Sequence, residues 1–242
     1  MKRPYVLIIK FVGAILKSVG VLTWLERRRG NRMMLYLRSL FSIHDARDMI
    51  HLDIPWWTFA GADAVEQFLR ERNGNAIVFE YGSGASTIWL AKRSKAVYSV
   101  EHDEDWAIAV QALSAPYPNI DFRFVEPAKG PDDEFGSGRK EWANRSFRNY
   151  VQEINTVPVT FDLIVVDGRS RSACLLAATG KLKDDGMVVL DNSHRRRYQA
   201  ALQACGLETT RLRGLAPGLP YPDETTVLHR RDGEPAGAGG SP

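Results

Sequence analysis

Ala76-Ile77-Val78-Phe79-Glu80-Tyr81-Gly82-Ser83-Gly84-Ala85-Ser86-Thr87 is the stretch that decides the fold. Its first half is a short apolar run rich in β-branched and aromatic residues, which reads as a buried strand. Gly82 and Gly84 then let the backbone take positive φ and approach a ligand closely. Ser86 or Thr87 can cap the following helix, where Ile88, Leu90 and Ala91 supply a packing face. Strand, glycine turn and helix N-terminus together are how an α/β domain holds a nucleotide-like ligand at the carboxyl edge of its sheet. A Gly-x-Gly turn alone also serves as a tight connection with no ligand. Glu80 changes the balance: a carboxylate there repels a diphosphate but can pair with a ligand ammonium group.

Working outward, a second acid, Glu101, ends the apolar run Ala96-Val97-Tyr98-Ser99-Val100. At the tip of a second strand it can accept hydrogen bonds from both hydroxyls of a ribose. Ile120 to Val125 alternates as a third strand, and Phe161 to Val166 is a near-continuous apolar run, so a fourth, central parallel strand. Met187 to Leu190 is the fifth, after the turn Asp184-Asp185-Gly186. Two late strands follow, around 207–213 and 225–231. Helices are expected over 59–72, 104–113, 146–154, 172–182 and 197–205, with Trp106 and Ala109 or Val110 as the packing face of the second. The Gly/Asp/Lys-rich segment 128–143 reads as a long loop, either a lid or a floppy insertion.

Glu80-Tyr81-Gly82-Ser83-Gly84-Ala85-Ser86, Val100-Glu101-His102-Asp103 and Phe161-Asp162-Leu163-Ile164-Val165-Val166-Asp167-Gly168, taken in order, resemble the motifs of the class I S-adenosylmethionine-dependent methyltransferases over about residues 55–231. The resemblance implies a doubly wound, mostly parallel seven-stranded sheet with a late antiparallel strand. It implies S-adenosylmethionine as cofactor, held by Glu80, Gly82, Ser83, Gly84, Ser86, Glu101 and His102. Ser86 departs from the family by standing where many members have a third glycine.

Asp167, Asp191 and Asn192 fall at strand ends, and their hard oxygens suit Mg²⁺. This set is similar to that of the metal-dependent O-methyltransferases of the catechol type, where the metal orients and acidifies the acceptor hydroxyl. The same residues also serve as ordinary turn and cap chemistry. Those enzymes carry a lysine after the first aspartate; this chain has Arg169, too basic to be a general base. Asp167 and His194 are therefore the catalytic candidates. Arg169, Arg171 and Arg195, with Arg196 and Arg197 beside them, suggest a small anionic acceptor, because arginine binds carboxylates and phosphates bidentately.

The chain has 242 residues, 44% of them hydrophobic, enough for one domain with extensions. A formal charge of +3 does not call for nucleic acid. Cys174 and Cys205 have no metal or redox spacing, so a reduced cytoplasmic setting is expected.

Residues 1–52 form an apolar and basic helical leader, 53–231 the catalytic domain, and 232–242 a low-complexity tail expected to be disordered. In the leader, Tyr5 to Leu25 is apolar but interrupted by Lys10 and Lys17 on one helical side. Those lysines argue against both a secretory signal and a spanning helix. A helix lying at the inner face of a membrane and a helix packed on its own domain or a partner subunit both fit. In Trp56-Trp57 two core side chains are the favoured reading, with a cleft position for one kept open. Two rival functions stand beside the methyltransferase: a nicotinamide-dependent oxidoreductase, and a non-catalytic, membrane-associated binding module on the same fold.

Overall fold

Gly20, with φ +78°, divides the apolar N-terminal stretch into two helices rather than one. In the computed structural model, which describes residues 3–43 and 45–231, α1 (Arg3–Ser18) and α2 (Val21–Glu26) are followed by α3 (Arg32–Ser39) and α4 (Ala46–Leu52). Lys2 and the segment 232–242, with its expected disorder, lie outside the described residues. Asn31 starts α3 by accepting the Met33 amide at 2.9 Å. Arg38, buried in α3, joins three helices: it donates to Glu26 at 2.5 Å and to Asp48 at 2.6 and 2.8 Å. Thr58 caps α5 (Phe59–Glu71) by accepting the Gly61 amide at 3.1 Å.

The remaining elements alternate in the expected α/β order. They are β1 (Ile77–Tyr81), α6 (Ala85–Ala91), β2 (Ala96–Glu101), α7 (Glu104–Ser114) and β3 (Ile120–Phe124). After the short pair β4 (Ala128–Lys129) and β5 (Arg145–Ser146) come α8 (Arg148–Thr156), β6 (Phe161–Val166), α9 (Arg171–Thr179) and β7 (Leu182–Asp191). A 3₁₀ turn leads into α10 (Gln199–Ala204), then β8 (Glu208–Gly214) and β9 (Asp223–His229). Seven strands form one sheet in the order β3-β2-β1-β6-β7-β9-β8. All run parallel except β9, which is antiparallel to both of its neighbours.

β7 begins five residues earlier than expected, at Leu182 rather than Met187. Asp184-Asp185-Gly186 is carried inside the strand, and the register opposite β6 shifts between Phe161 and Leu163 to absorb it. Segment 128–143 is anchored rather than loose. β4 pairs with β5, Phe135 is buried, and the Phe147 amide donates to the Phe135 carbonyl at 2.9 Å.

Because β1 and β6 are apolar on both faces, helices must cover both. α5 and α6 pack on one face through Val65, Phe68, Trp89 and Leu90. α8, α9 and α10 cover the other through Tyr150, Ile154, Leu175 and Leu202. A third cluster joins α3 and α4 to the domain through Leu35, Met49, Leu52, Phe59 and Ala85. Each fully buried side chain of this size contributes about 1.5–3 kcal/mol.

Candidate functional site

The register places the carboxyl ends of β1, β2, β6 and β7 on one edge. At that edge Gly82 takes φ +92°, and a Cβ there would stand 2.6 Å from the Gly168 Cα. The turns after β1 and β6 therefore touch backbone to backbone. The Asp167 amide donates to the Tyr81 carbonyl and the Gly82 amide to the Val100 carbonyl, both at 2.9 Å.

Gly84 holds the cap position of α6, and Thr87 serves the cap from three residues on by accepting the Gly84 amide at 2.9 Å, whereas Ser86 does not cap. The Ser86 and Thr87 hydroxyls turn inward and donate to Glu80 at 2.5 Å each, joined by Ser99 at 2.6 Å. Glu80 is fully buried and does not line the cleft. Burial outweighs the three donors and pushes its pKa up to about 7. The expected contact between Glu80 and a ligand is corrected accordingly: this carboxyl ties β1 to β2 and α6. Ser86 reaches the cleft wall, but its hydroxyl is committed to Glu80.

Glu101 stands at the cleft and accepts three backbone amides, from Ser83 at 3.1 Å, His102 at 2.7 Å and Asp103 at 3.0 Å. A carboxylate has about four acceptor positions, so these amides hold it in place and leave one for a ligand hydroxyl. His102 borders the cleft with its ring among Trp142, Phe147 and Tyr150, at centroid distances of 5.1, 5.4 and 5.7 Å. Its Nδ1 lies 2.6 Å from Glu101 Oε1, out of line for a hydrogen bond. The His102 ring nitrogens, the Tyr150 hydroxyl and the Arg169 Nε are buried with no hydrogen-bond partner among the described residues.

The cleft has a volume of about 650 Å³. Gly82, Ser83 and Gly84 line it, with Trp56 and Trp106 both beside Gly84. These two indoles sit 6.4 Å apart, and Trp106 is fixed by donating to the Ser83 carbonyl at 2.7 Å. Trp106 corrects the sequence reading, and for Trp56-Trp57 the structure takes the cleft position kept open rather than the favoured two core side chains. Trp57 is buried and edge-on to Trp89, whereas Trp56 faces the cleft. On α7 it is Ala107 and Val110 that pack, which leaves Trp106 free to turn outward. The only sequence signal was the adjacency of Trp56 and Trp57, which sends the two side chains in different directions.

Asp167, Asp191 and Asn192 also line the cleft. As folded, they do not fit Mg²⁺. The buried guanidinium of Arg171 lies between the two carboxylates, donating to Asp167 Oδ1 at 2.6 Å and standing 3.6 Å from Asp191 Oδ2. It also donates to the carbonyls of Gly168, Asp167 and Asp191. The positive charge a cation would supply is already in place. Asn192 turns its amide to donate to Asp223 Oδ2 at 2.9 Å. No cluster of three His, Cys, Asp or Glu suited to a metal occurs among the described residues. Burial raises Asp167 above the usual carboxylate range; burial and Asp167 together push Asp191 up to about 8.

Arg171 is thus committed to the structure and is not free for a substrate, which corrects its assignment. Arg169 and Arg195 do line the cleft, joined by Arg139 from the anchored segment, which the sequence reading missed. Burial, then Arg139 and Arg171, push the Arg169 pKa below the ordinary arginine value. A second recess of about 400 Å³ continues from these arginines to Arg197 and Tyr198. His194 does not line the cleft but stands beside it, half exposed, with Nδ1 2.9 Å from Oδ1 of Asp223. Asp223, also missed, begins β9; the reversal of that strand brings its start to the ligand edge.

The strand order, with one reversed strand beside the edge strand, is that of the Rossmann-like methyltransferase fold. No family model and no curated protein matches the chain. Among solved structures, it is similar to a methyltransferase-like protein from Silicibacter pomeroyi, at 25% identity over 69% of this chain and 86% of that one, with a TM-score of 0.46. An rRNA methylase from Streptococcus thermophilus aligns at 13% identity over 69% and 94%, TM-score 0.48. A TehB-like SAM-dependent methyltransferase from Corynebacterium glutamicum aligns at 16% identity over 76% and 94%, TM-score 0.44.

Proposed function

We propose that the chain is an S-adenosylmethionine-dependent methyltransferase acting on an oxygen of a small anionic acceptor. One observation carries the reading: Glu101, locked by three amides at the tip of β2, opens into the same cleft as the glycine turn of β1. The residues present fit the cofactor. Glu101 would take the ribose hydroxyls, the Gly82–Gly84 backbone would take the amino-acid part, and Trp56 and Trp106 would cover the apolar portion. Asp167 lines the cleft beside the turn, with one oxygen taking Arg171 at 2.6 Å and the other the Trp57 indole at 3.3 Å, so it offers a ligand ammonium only its remaining acceptor positions.

When bound, the cofactor supplies a methyl group on an already activated sulfonium. The protein's share is then orientation and proton removal. Arg139, Arg169 and Arg195 hold an anionic group of the acceptor. Arg169 supports this most strongly: it is a largely desolvated cation whose neighbours Arg139 and Arg171 are also positive, so an anion there relieves their repulsion. His194, with Nδ1 2.9 Å from Asp223 Oδ1 beside the cleft, is the base assigned to the acceptor hydroxyl proton.

Calorimetry with S-adenosylhomocysteine tests the reading. Wild type should bind, and Glu101→Ala should bind more weakly by about 1–3 kcal/mol. Because that change also releases three amides, melting of the variant must show it folded. In the same series, inorganic phosphate should raise the melting temperature of wild type more than that of Arg169→Gln. Binding of a nicotinamide dinucleotide in place of the homocysteine would favour the oxidoreductase. Binding of neither would favour the non-catalytic module.

A further inference from the structure

Thirteen large hydrophobic side chains are exposed among the described residues, and nine of them fall between Leu7 and Leu37. That concentration is not the scatter expected of an ordinary surface. α1 has two apolar faces. Tyr5, Val6, Ile9, Val12, Gly13 and Leu16 turn inward, with Gly13 against the Phe41 ring. Leu7, Phe11 and Ile15 follow one another at four-residue spacing on the opposite side, exposed by 68%, 68% and 47%, with Ile8 beside them. Lys10 and Lys17, separated by about 20° around the axis, border this outer stripe on one side. The stripe continues through Val19 and Val21 to Trp24, which is 48% exposed with the Arg28 guanidinium 4.2 Å above its ring.

Charge on this face has one sign. Arg32 is paired with Asp63, and Arg38 with Glu26 and Asp48. Lys10, Lys17, Arg27, Arg28 and Arg29 are exposed, and no carboxylate among the described residues lies within ion-pair distance of them. An apolar stripe bordered by uncompensated cations, with an indole beside an arginine, is the chemistry of a headgroup–acyl boundary. α1 spans about 24 Å, short of the ~30 Å hydrocarbon core, and no described helix is long and apolar enough to cross a membrane.

We infer that α1 and α2 dock on an anionic lipid bilayer, lying in its interface with Leu7, Phe11, Ile15 and Trp24 inserted and Arg27–Arg29 on the headgroups. α3, which packs on α2, is tied to the cleft: Tyr36 donates to the Leu219 carbonyl at 3.1 Å and Ser39 accepts from the Gly218 amide at 3.3 Å, on the loop that rims it. Lipid binding does not depend on the proposed reaction.

Full-length protein should sediment with vesicles of phosphatidylcholine containing one quarter phosphatidylglycerol, not with pure phosphatidylcholine, and high salt should weaken the effect. Phe11→Glu should lower the apparent affinity about tenfold or more. Replacing Arg27, Arg28 and Arg29 with glutamine should abolish the preference for anionic lipid. All these side chains are exposed, so melting temperatures should stay at the wild-type value. Failure of wild type to sediment, or equal sedimentation by Phe11→Glu, overturns the inference. So does a wild-type dimer in light scattering that Phe11→Glu dissociates and that shows no lipid binding, which would make a second copy the occupant.

Discussion

Glu80 shows how one residue can read as a ligand contact and serve as a buried fastener. Its three hydroxyl donors come from α6 and β2, so the carboxyl joins the glycine turn to the neighbouring strand. Burial raises its pKa from 4.5 to about 7, and the stability consequence has a definite sign. Below the unfolded value both states hold the proton. As pH climbs from there toward 7, the unfolded chain releases it and the folded chain does not, so stability is progressively lost. Glu80→Gln keeps the shape without the charge and removes this dependence. Its melting temperature should match wild type near the acid end and overtake it up to about pH 7, with a plateau above. The ceiling is about 3 kcal/mol at 1.36 kcal/mol per unit. Curves that stay parallel across this window would mean that Glu80 ionises in the fold as it does in the unfolded chain.

Elements, rather than single residues, set the chemistry around Asp167 and Asp191. β6 and β7 deliver Asp167 and Asp191 side by side, and the first turn of α9 brings Arg171 back between them. Two buried carboxylates without that guanidinium would face each other uncompensated. Arg171→Ala should therefore cost about 3–5 kcal/mol in chemical denaturation. Chelator should leave the wild-type melting temperature unchanged. Mg²⁺ should stabilise Arg171→Ala, where the oxygens are freed, and not the wild type. A wild-type protein that loses stability in chelator would show that the guanidinium does not displace the metal.

Across the whole molecule, the leader is not one unit. α3 and α4 are built into the domain by the Leu35, Met49, Leu52 and Phe59 cluster, whereas α1 packs on α2 and Phe41 outside it. Limited trypsin treatment should cut first at the exposed Arg27–Arg29 run and leave a stable fragment beginning near residue 30. Mass spectrometry of the fragments checks this. A first stable product beginning near residue 53 would mean that α3 and α4 detach with α1.

The sequence by itself determined the strands of the main sheet, apart from the early start of β7, and the ligand edge. Apolar runs of strand length ending in Glu80, Glu101, Asp167 and Asp191 carry that information locally, as period and punctuation. The glycine turn belongs to the same local layer, whereas the late antiparallel strand is expected only from the family resemblance. What only the tertiary structure decided is which of these polar groups remain available. Glu80 and Arg171 are consumed by partners outside their own elements, 3 to 20 residues away in sequence. Trp56, Trp106, Arg139 and Asp223 reach the cleft from four separate segments. No local pattern encodes that choice, because whether a buried polar group is satisfied depends on what the rest of the chain places beside it.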